Sequence, residues 1–279
     1  MAIITISRGS MSGGTAFAEC LATTLGYPTL AREVLVKAAA TLGVSEEKLR
    51  GKIEKSARFW ERMTSDRRIY HVALQSALAD AALNGDLVYH GHAGHLLLKD
   101  FPNVLRIRLI APMSTRIRAV MERQGLEFGA AKDYIRLVDE ERVRWTKFIY
   151  GLDWRDPNNY DIVINLGQIS IQTACAMVAA TVKLPPYVTT EEVRKKLSDF
   201  ALAYRIKVAL AANSKSGAVK FEVRADNGSV EVFGEIATTG VLIRRAGPSE
   251  EDVRLIAKTV EGVKKVTVSL RRFPEFPEP

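Results

Sequence analysis

The first fifteen residues constrain this 279-residue chain more than any other stretch. The β-branched run Ile3-Ile4-Thr5-Ile6 passes through Ser7 into Arg8-Gly9-Ser10-Met11-Ser12-Gly13-Gly14-Thr15. A helical pattern from Ala16 to Leu25 follows at once, with Phe17, Leu21, Thr24 and Leu25 on one face. A strand, a small glycine-rich turn and a helix in immediate succession aim backbone N–H groups, and the positive end of a helix dipole, at an anion such as phosphate. Aligned on the phosphate-loop pattern G-x-x-x-x-G-K-[ST], Gly13 is the second glycine and Thr15 the hydroxyl residue that reaches Mg²⁺. Gly14 then stands where the lysine belongs, and Arg8 where the first glycine belongs. Arg8 could substitute for the lysine, though the sequence does not give the direction of its side chain. A plain strand-to-helix turn would need the same glycines without any ligand.

The rest of the chain up to about Lys183 alternates short apolar strands with helices. Strands are expected at Ile3–Ser7, Leu87–His90, Val104–Ile110 and Ile162–Asn165. Helices are expected at Ala16–Leu25, Glu33–Leu42, Ile69–Asn84, Ser114–Gln124, Ala130–Arg144 and Ile171–Thr181. Apolar strands separated by helices predict an α/β fold, a parallel sheet covered on both faces. Pro185-Pro186 ends this pattern and predicts a boundary. Beyond it, Thr189-Thr190-Glu191-Glu192 reads as a capping-box helix start. A hairpin follows over Val219–Ala225 and Ser229–Ile236 around Asp226-Asn227-Gly228, then a helix from Ser249 and a strand over Val263–Leu270. This is a small α+β C-terminal module, so the expected domains are 1–183 and 187–273.

The formal net charge is +8, spread over both halves without a Lys/Arg block. That pattern suits a phosphorylated small ligand and argues against a specific nucleic-acid partner. Cys20 and Cys175 each sit in an apolar helical pattern, as buried free thiols do. No stretch approaches the roughly 18 apolar residues of a membrane span, and the start lacks a basic, then apolar, leader. The expectation is a cytoplasmic, non-transmembrane protein.

Over residues 1–182 the chain resembles the cytidylate kinase-like family of nucleoside monophosphate kinase folds. The resemblance is carried by Ile6-Ser7-Arg8 with Ser12-Gly13-Gly14, by Val88-Tyr89-His90-Gly91-His92-Ala93-Gly94-His95, and by Ala111-Pro112-Met113 with Arg116 and Arg123. Asp139-Glu140-Glu141-Arg142, Asp153-Trp154-Arg155-Asp156-Pro157 and Tyr160-Asp161-Ile162-Val163-Ile164-Asn165 complete it. Residues 187–272 resemble a BON domain in the Gly228…Val230…Gly234 hairpin and the Val260-Glu261-Gly262-Val263-Lys264-Lys265-Val266 ending.

The resemblance implies transfer of the ATP γ-phosphoryl group to CMP, dCMP or a similar monophosphate, with Mg²⁺. It implies a cradle at Ser10, Met11, Ser12, Gly13, Gly14 and Thr15, with Thr15 towards Mg²⁺ and Arg144 also on the donor nucleotide. Arg32, His90 and His92 would face the acceptor, while Arg8, Arg116, Arg123 and Arg142 would act on the transferred group. Gly91-His92-Ala93 replaces the family's Gly-Arg-Asp. Neutral histidines would then stand in for an arginine and make acceptor binding sensitive to pH near 6.5. His90, His92 and His95 together also form a possible Zn²⁺ set, but no fourth ligand of suitable spacing follows. Phe59-Trp60 and Trp145…Phe148 are either base-stacking pairs or packing. The loss of the lysine and the attached module leave a second reading, a catalytically degenerate nucleotide sensor coupled to the BON-like domain. That domain's Lys264, Lys265, Arg271 and Arg272 suit an acidic lipid or a protein partner.

Overall fold

The computed structural model describes residues 2–31, 64–91, 93–238 and 247–274. These form two compact units, one of residues 2–31, 84–91 and 93–193, the other of 64–83, 194–238 and 247–274. The expected helix at Glu33–Leu42, Arg32, Phe59-Trp60 and His92 lie outside the described residues.

The first unit contains β1 (Ile3–Arg8), α1 (Gly14–Leu25), β2 (Thr29–Ala31) and β3 (Leu87–His90). The helix α2 (Thr64–Ala81) belongs to the second unit, where Arg205 pairs with Asp80 at 2.6 Å, so the units are not consecutive halves of the chain. After β3 the first unit continues with α3 (Gly94–Leu97), β4 (Val104–Ile110), α4 (Met113–Gln124), α5 (Phe128–Tyr150), β5 (Ile162–Asn165) and α6 (Ile171–Thr181). Its five strands run in the order β2-β3-β1-β4-β5, every neighbouring pair parallel. The expected α/β class is therefore observed. In this order β1 is central, and its carboxyl end opens into the glycine-rich turn.

The two faces of this sheet differ. On one, Ile4, Ile6, Leu105, Ile107 and Leu109 pack with Phe17 and Leu21 of α1 and with Ala174, Cys175 and Val178 of α6. Each large side chain buried there contributes about 1.5–3 kcal/mol relative to exposure. Cys20 and Cys175 are free thiols, and the Cys175 sulfur lies 3.4 Å from the Thr24 hydroxyl. The other face carries Thr5, Ser7, Arg106 and Arg108, because residues alternate sides along a strand. Arg106 forms a forked pair with Asp161, the shorter contact being 2.6 Å. Arg108 lies over the rings of Trp154 (4.8 Å) and Tyr160 (5.9 Å) and donates to the carbonyls of Trp154 and Arg155.

The second unit builds a mixed sheet from β6 (Lys220–Asp226), β7 (Ser229–Thr238) and β8 (Lys265–Pro274), with α7 (Glu191–Ala212) and α8 (Glu250–Lys258). β6 and β7 form the expected antiparallel hairpin, whereas β7 and β8 are parallel, connected through α8. Ser249 caps α8 in a full capping box with Asp252. At α7 the cap is Thr190, whose hydroxyl accepts from Val193 N–H, while Thr189 donates to the Gly85 carbonyl instead. Among the described residues no helix is long and apolar enough to cross a membrane.

Two histidines, the buried His95 and the half-buried His71, give the units an acid sensitivity. Burial, with the charges of Arg106 and Arg108, lowers the His95 pKa to about 3, and burial with Lys207 lowers that of His71 to about 4. An unfolded histidine takes up its proton near pH 6.5 and the folded ones only far below that. Acidification through this window therefore favours the unfolded chain, at a cost near pH 5 of about 2 kcal/mol per histidine. Urea unfolding should show that loss between pH 7 and pH 5, and His95→Gln should remove the share belonging to the first unit. A pH dependence that His95→Gln leaves unchanged would refute the assignment.

Candidate active site

At the carboxyl end of β1 the chain folds into a loop that its own sequence makes compact. Met11 (φ 56°) and Gly13 (φ 80°) take left-handed backbone, and Ser12 N–H donates to the Gly9 carbonyl at 3.3 Å. Gly13 is the N-cap of α1 without a side-chain cap, and its carbonyl accepts from Phe17 N–H at 3.0 Å. The amides of Gly14, Thr15 and Ala16 lie in the first turn, where no carbonyl one turn back exists to accept them. They are the anion-directed groups of the loop.

These residues line a cavity of about 460 Å³, within the range of small-molecule sites. Ser10, Met11, Ser12, Gly13, Gly14 and Thr15 all contribute to its wall, as do Arg8, Arg123 and Arg142. Among the described residues no aspartate or glutamate lines it, and the charged side chains on its wall are all arginines. A second wall is apolar and comes from Tyr134 and Val138 of α5 with Leu166, Ile169 and Ile171 around the start of α6. The turn into that wall is tight. Gly167 N–H donates to the Asn165 side chain at 3.0 Å, and a Cβ on Gly167 would lie 2.6 Å from the Pro112 ring. The second unit has a concavity of about 640 Å³ on its sheet, but Glu222, Glu235 and Glu250 line it beside Lys220 and Arg271, which opposes an anion.

Behind the loop lies a clasp. Asp139 of α5 accepts from Ser10 N–H at 3.0 Å and pairs with Arg116 of α4 at 2.5 Å. Arg116 Nε donates to the Ser10 carbonyl at 2.6 Å, so one carboxylate–guanidinium pair satisfies both backbone groups of Ser10. Arg142 donates to the Arg8 carbonyl at 2.8 Å and lies 3.8 Å from Asp139. Ser12 is buried and its hydroxyl has no hydrogen-bond partner among the described residues.

Arg8, Arg123, Arg142 and the whole Ser10–Thr15 stretch thus meet at one cavity. Arg116 is buried behind the loop, and Arg144 is exposed and does not line the cavity. His90 ends β3 next to β1 and β2, pairing with Ile6 and Ala31. His95 is buried against the Tyr160 ring, centroids 4.5 Å apart, and its two ring nitrogens have no hydrogen-bond partner among the described residues. Trp145 packs edge-on against Tyr150 at 5.8 Å and is not part of the cavity wall. Sequence reasoning did not find Asp139's role or the apolar wall. The short spacing of Leu166, Ile169 and Ile171 after β5 was the available signal for the wall.

The model of the cytidylate kinase-like family matches residues 3–168. A cytidylate kinase of Pyrobaculum aerophilum is 27% identical over 175 residues, covering 62% of this chain and 89% of that protein. One of Ignicoccus hospitalis is 28% identical over 168 residues, covering 59% and 90%. A uronate isomerase of Corynebacterium glutamicum is 31% identical over 104 residues, but the chain spans only 20% of that protein's length. Among solved structures, an uncharacterized protein from Eubacterium ventriosum superposes with a TM-score of 0.53 at 24% identity. It covers 65% of this chain and 98% of that one, a likeness of fold.

Proposed function

The chain belongs to the cytidylate kinase-like family, and on that premise we propose that it transfers the γ-phosphoryl group of ATP to a CMP- or dCMP-like monophosphate. The observation that carries this reading is the cavity wall, with three arginines, the residues of an open helix start and, among the described residues, no carboxylate. Phosphoryl transfer asks the protein mainly for positioning and for charge on the phosphate oxygens. In this reading the Gly13–Ala16 amides hold the donor's terminal phosphates, while Arg123 and Arg142 take up charge on the transferred group. The apolar wall of Tyr134, Leu166, Ile169 and Ile171 receives the donor base. Arg116 and Asp139 act as positioning residues that keep Ser10 in place. Thr15 lines the cavity, and in this reading its hydroxyl would meet a nucleotide-bound Mg²⁺, which would neutralise charge between the phosphates. Arg32, His90 and His92 are proposed on the acceptor side. Residues 1–183 are proposed as the nucleotide-binding domain, and 187–273 as a BON-like module for an acidic lipid or protein partner.

Full-length protein incubated with Mg²⁺-ATP and each of CMP, dCMP, UMP, AMP and GMP tests this directly. Diphosphate formation is expected with a cytidine monophosphate at the 1–100 s⁻¹ typical of kinases. Tight Mg²⁺-ATP binding without turnover of any monophosphate would replace the enzyme by the nucleotide sensor, a reading supported by the glycine at position 14. Absence of nucleotide binding at millimolar concentration would reject both.

A further inference from the structure

We infer that the arginine at the first loop position and the glycine at the lysine position are one relocated cation rather than two separate losses. Arg8 supplies to the donor phosphates the charge that a lysine would supply from position 14, and Gly14 is the gap through which its side chain passes. This rests on the reading of the cavity as a nucleotide-phosphate site.

The geometry at Gly14 carries the inference. A Cβ built on Gly14 would lie 1.9 Å from Arg8 Cδ, 2.7 Å from Nε and 3.1 Å from Cγ. Non-bonded carbons are at their optimum near 3.5–4.0 Å, so Arg8 in this position and any side chain at 14 exclude one another. Gly14 is the first residue of α1, where a phosphate-loop lysine would begin its reach, and the Arg8 stem occupies that volume. Both residues line the same cavity.

The base of the Arg8 side chain is fixed. Arg8 is the last residue of β1, in register with Leu109 of β4, and its carbonyl accepts from Arg142. The stem therefore starts from the central strand and crosses the helix start. A lysine would instead start from the helix and point back over the strand. Chemically the exchange is sufficient, because guanidinium is permanently charged and presents a planar fork of donors matched to phosphate oxygens.

The test is a transposition in the full-length chain, read by calorimetric titration with Mg²⁺-ATP and by turnover of CMP. Arg8→Ala, and Arg8→Met, which keeps most of the stem, should each lower turnover about 100-fold or more and weaken Mg²⁺-ATP binding. Gly14→Lys alone should be similarly impaired, because the new side chain meets Arg8. Arg8→Gly combined with Gly14→Lys restores the pattern G-x-x-x-x-G-K-T and should recover turnover to within about tenfold of wild type. The inference is overturned if wild type binds Mg²⁺-ATP and both Arg8 variants stay within threefold of it. It is equally overturned if Gly14→Lys alone matches wild type, or if the double variant is no better than the worse single. A wild-type protein that binds no nucleotide would instead reject the phosphate-site reading on which the inference stands.

Discussion

Gly13→Val should abolish Mg²⁺-ATP binding, a loss of 100-fold or more in affinity, while leaving most of the fold's stability in place. Gly13 has φ 80°, and the left-handed region is costly for a β-branched residue. Its Cβ would also lie 3.2 Å from the Leu166 side chain, on the cavity wall. Relief of either conflict moves the N-cap of α1 and with it the amides of Gly14, Thr15 and Ala16, the groups aimed at the phosphates. Gly26→Ala is the matched control. Gly26 ends the same helix at φ 70°, with nothing among the described residues within 4 Å of its Cβ position. That substitution carries similar backbone strain, on the order of 1 kcal/mol, without touching the cavity. Calorimetric titration together with thermal unfolding separates the two effects. If Gly13→Val binds Mg²⁺-ATP within threefold of wild type, or if Gly26→Ala loses binding equally, the loop does not cradle the phosphates.

What was legible in the sequence is what local pattern determines. The β1–loop–α1 unit could be read because strand period, glycine placement and helix period all fall within twenty-five residues. The parallel sheet followed from apolar strands separated by helices, and the β6–β7 hairpin from its Asp226-Asn227-Gly228 turn. The clasp was not legible, because Ser10 and Asp139 are 129 positions apart and no local preference marks their meeting. Arg116 and Arg123 illustrate a limit of periodicity. Seven residues put them on one helix face, but about 10 Å apart along the axis. One therefore reaches the back of the loop and the other the cavity wall. In β4, Arg106 and Arg108 interrupt an apolar strand for a reason set far along the chain, since Asp161, Trp154 and Tyr160 receive them.

Asp139→Ala should destabilise the first unit by about 2–3 kcal/mol, less than the 3–5 kcal/mol typical of a fully buried pair because these groups are partly solvated. The substitution removes the acceptor of Ser10 N–H and leaves the buried Arg116 guanidinium with the Ser10 carbonyl as its remaining partner in the clasp. An unpaired buried charge is the expensive outcome, so removing that charge as well should recover part of the loss. Arg116→Met combined with Asp139→Ala should be less destabilised than the two single losses added together, by about 1 kcal/mol or more. Nucleotide affinity should follow the same cycle, because the pair's effect on phosphate passes through the position of Ser10. Urea unfolding of the four proteins, with Mg²⁺-ATP titration of each, measures both couplings. Additive losses in stability would show that the pair is not a unit. A Mg²⁺-ATP affinity unchanged in Asp139→Ala would show that the loop keeps its shape without the clasp, and the positioning role would fall.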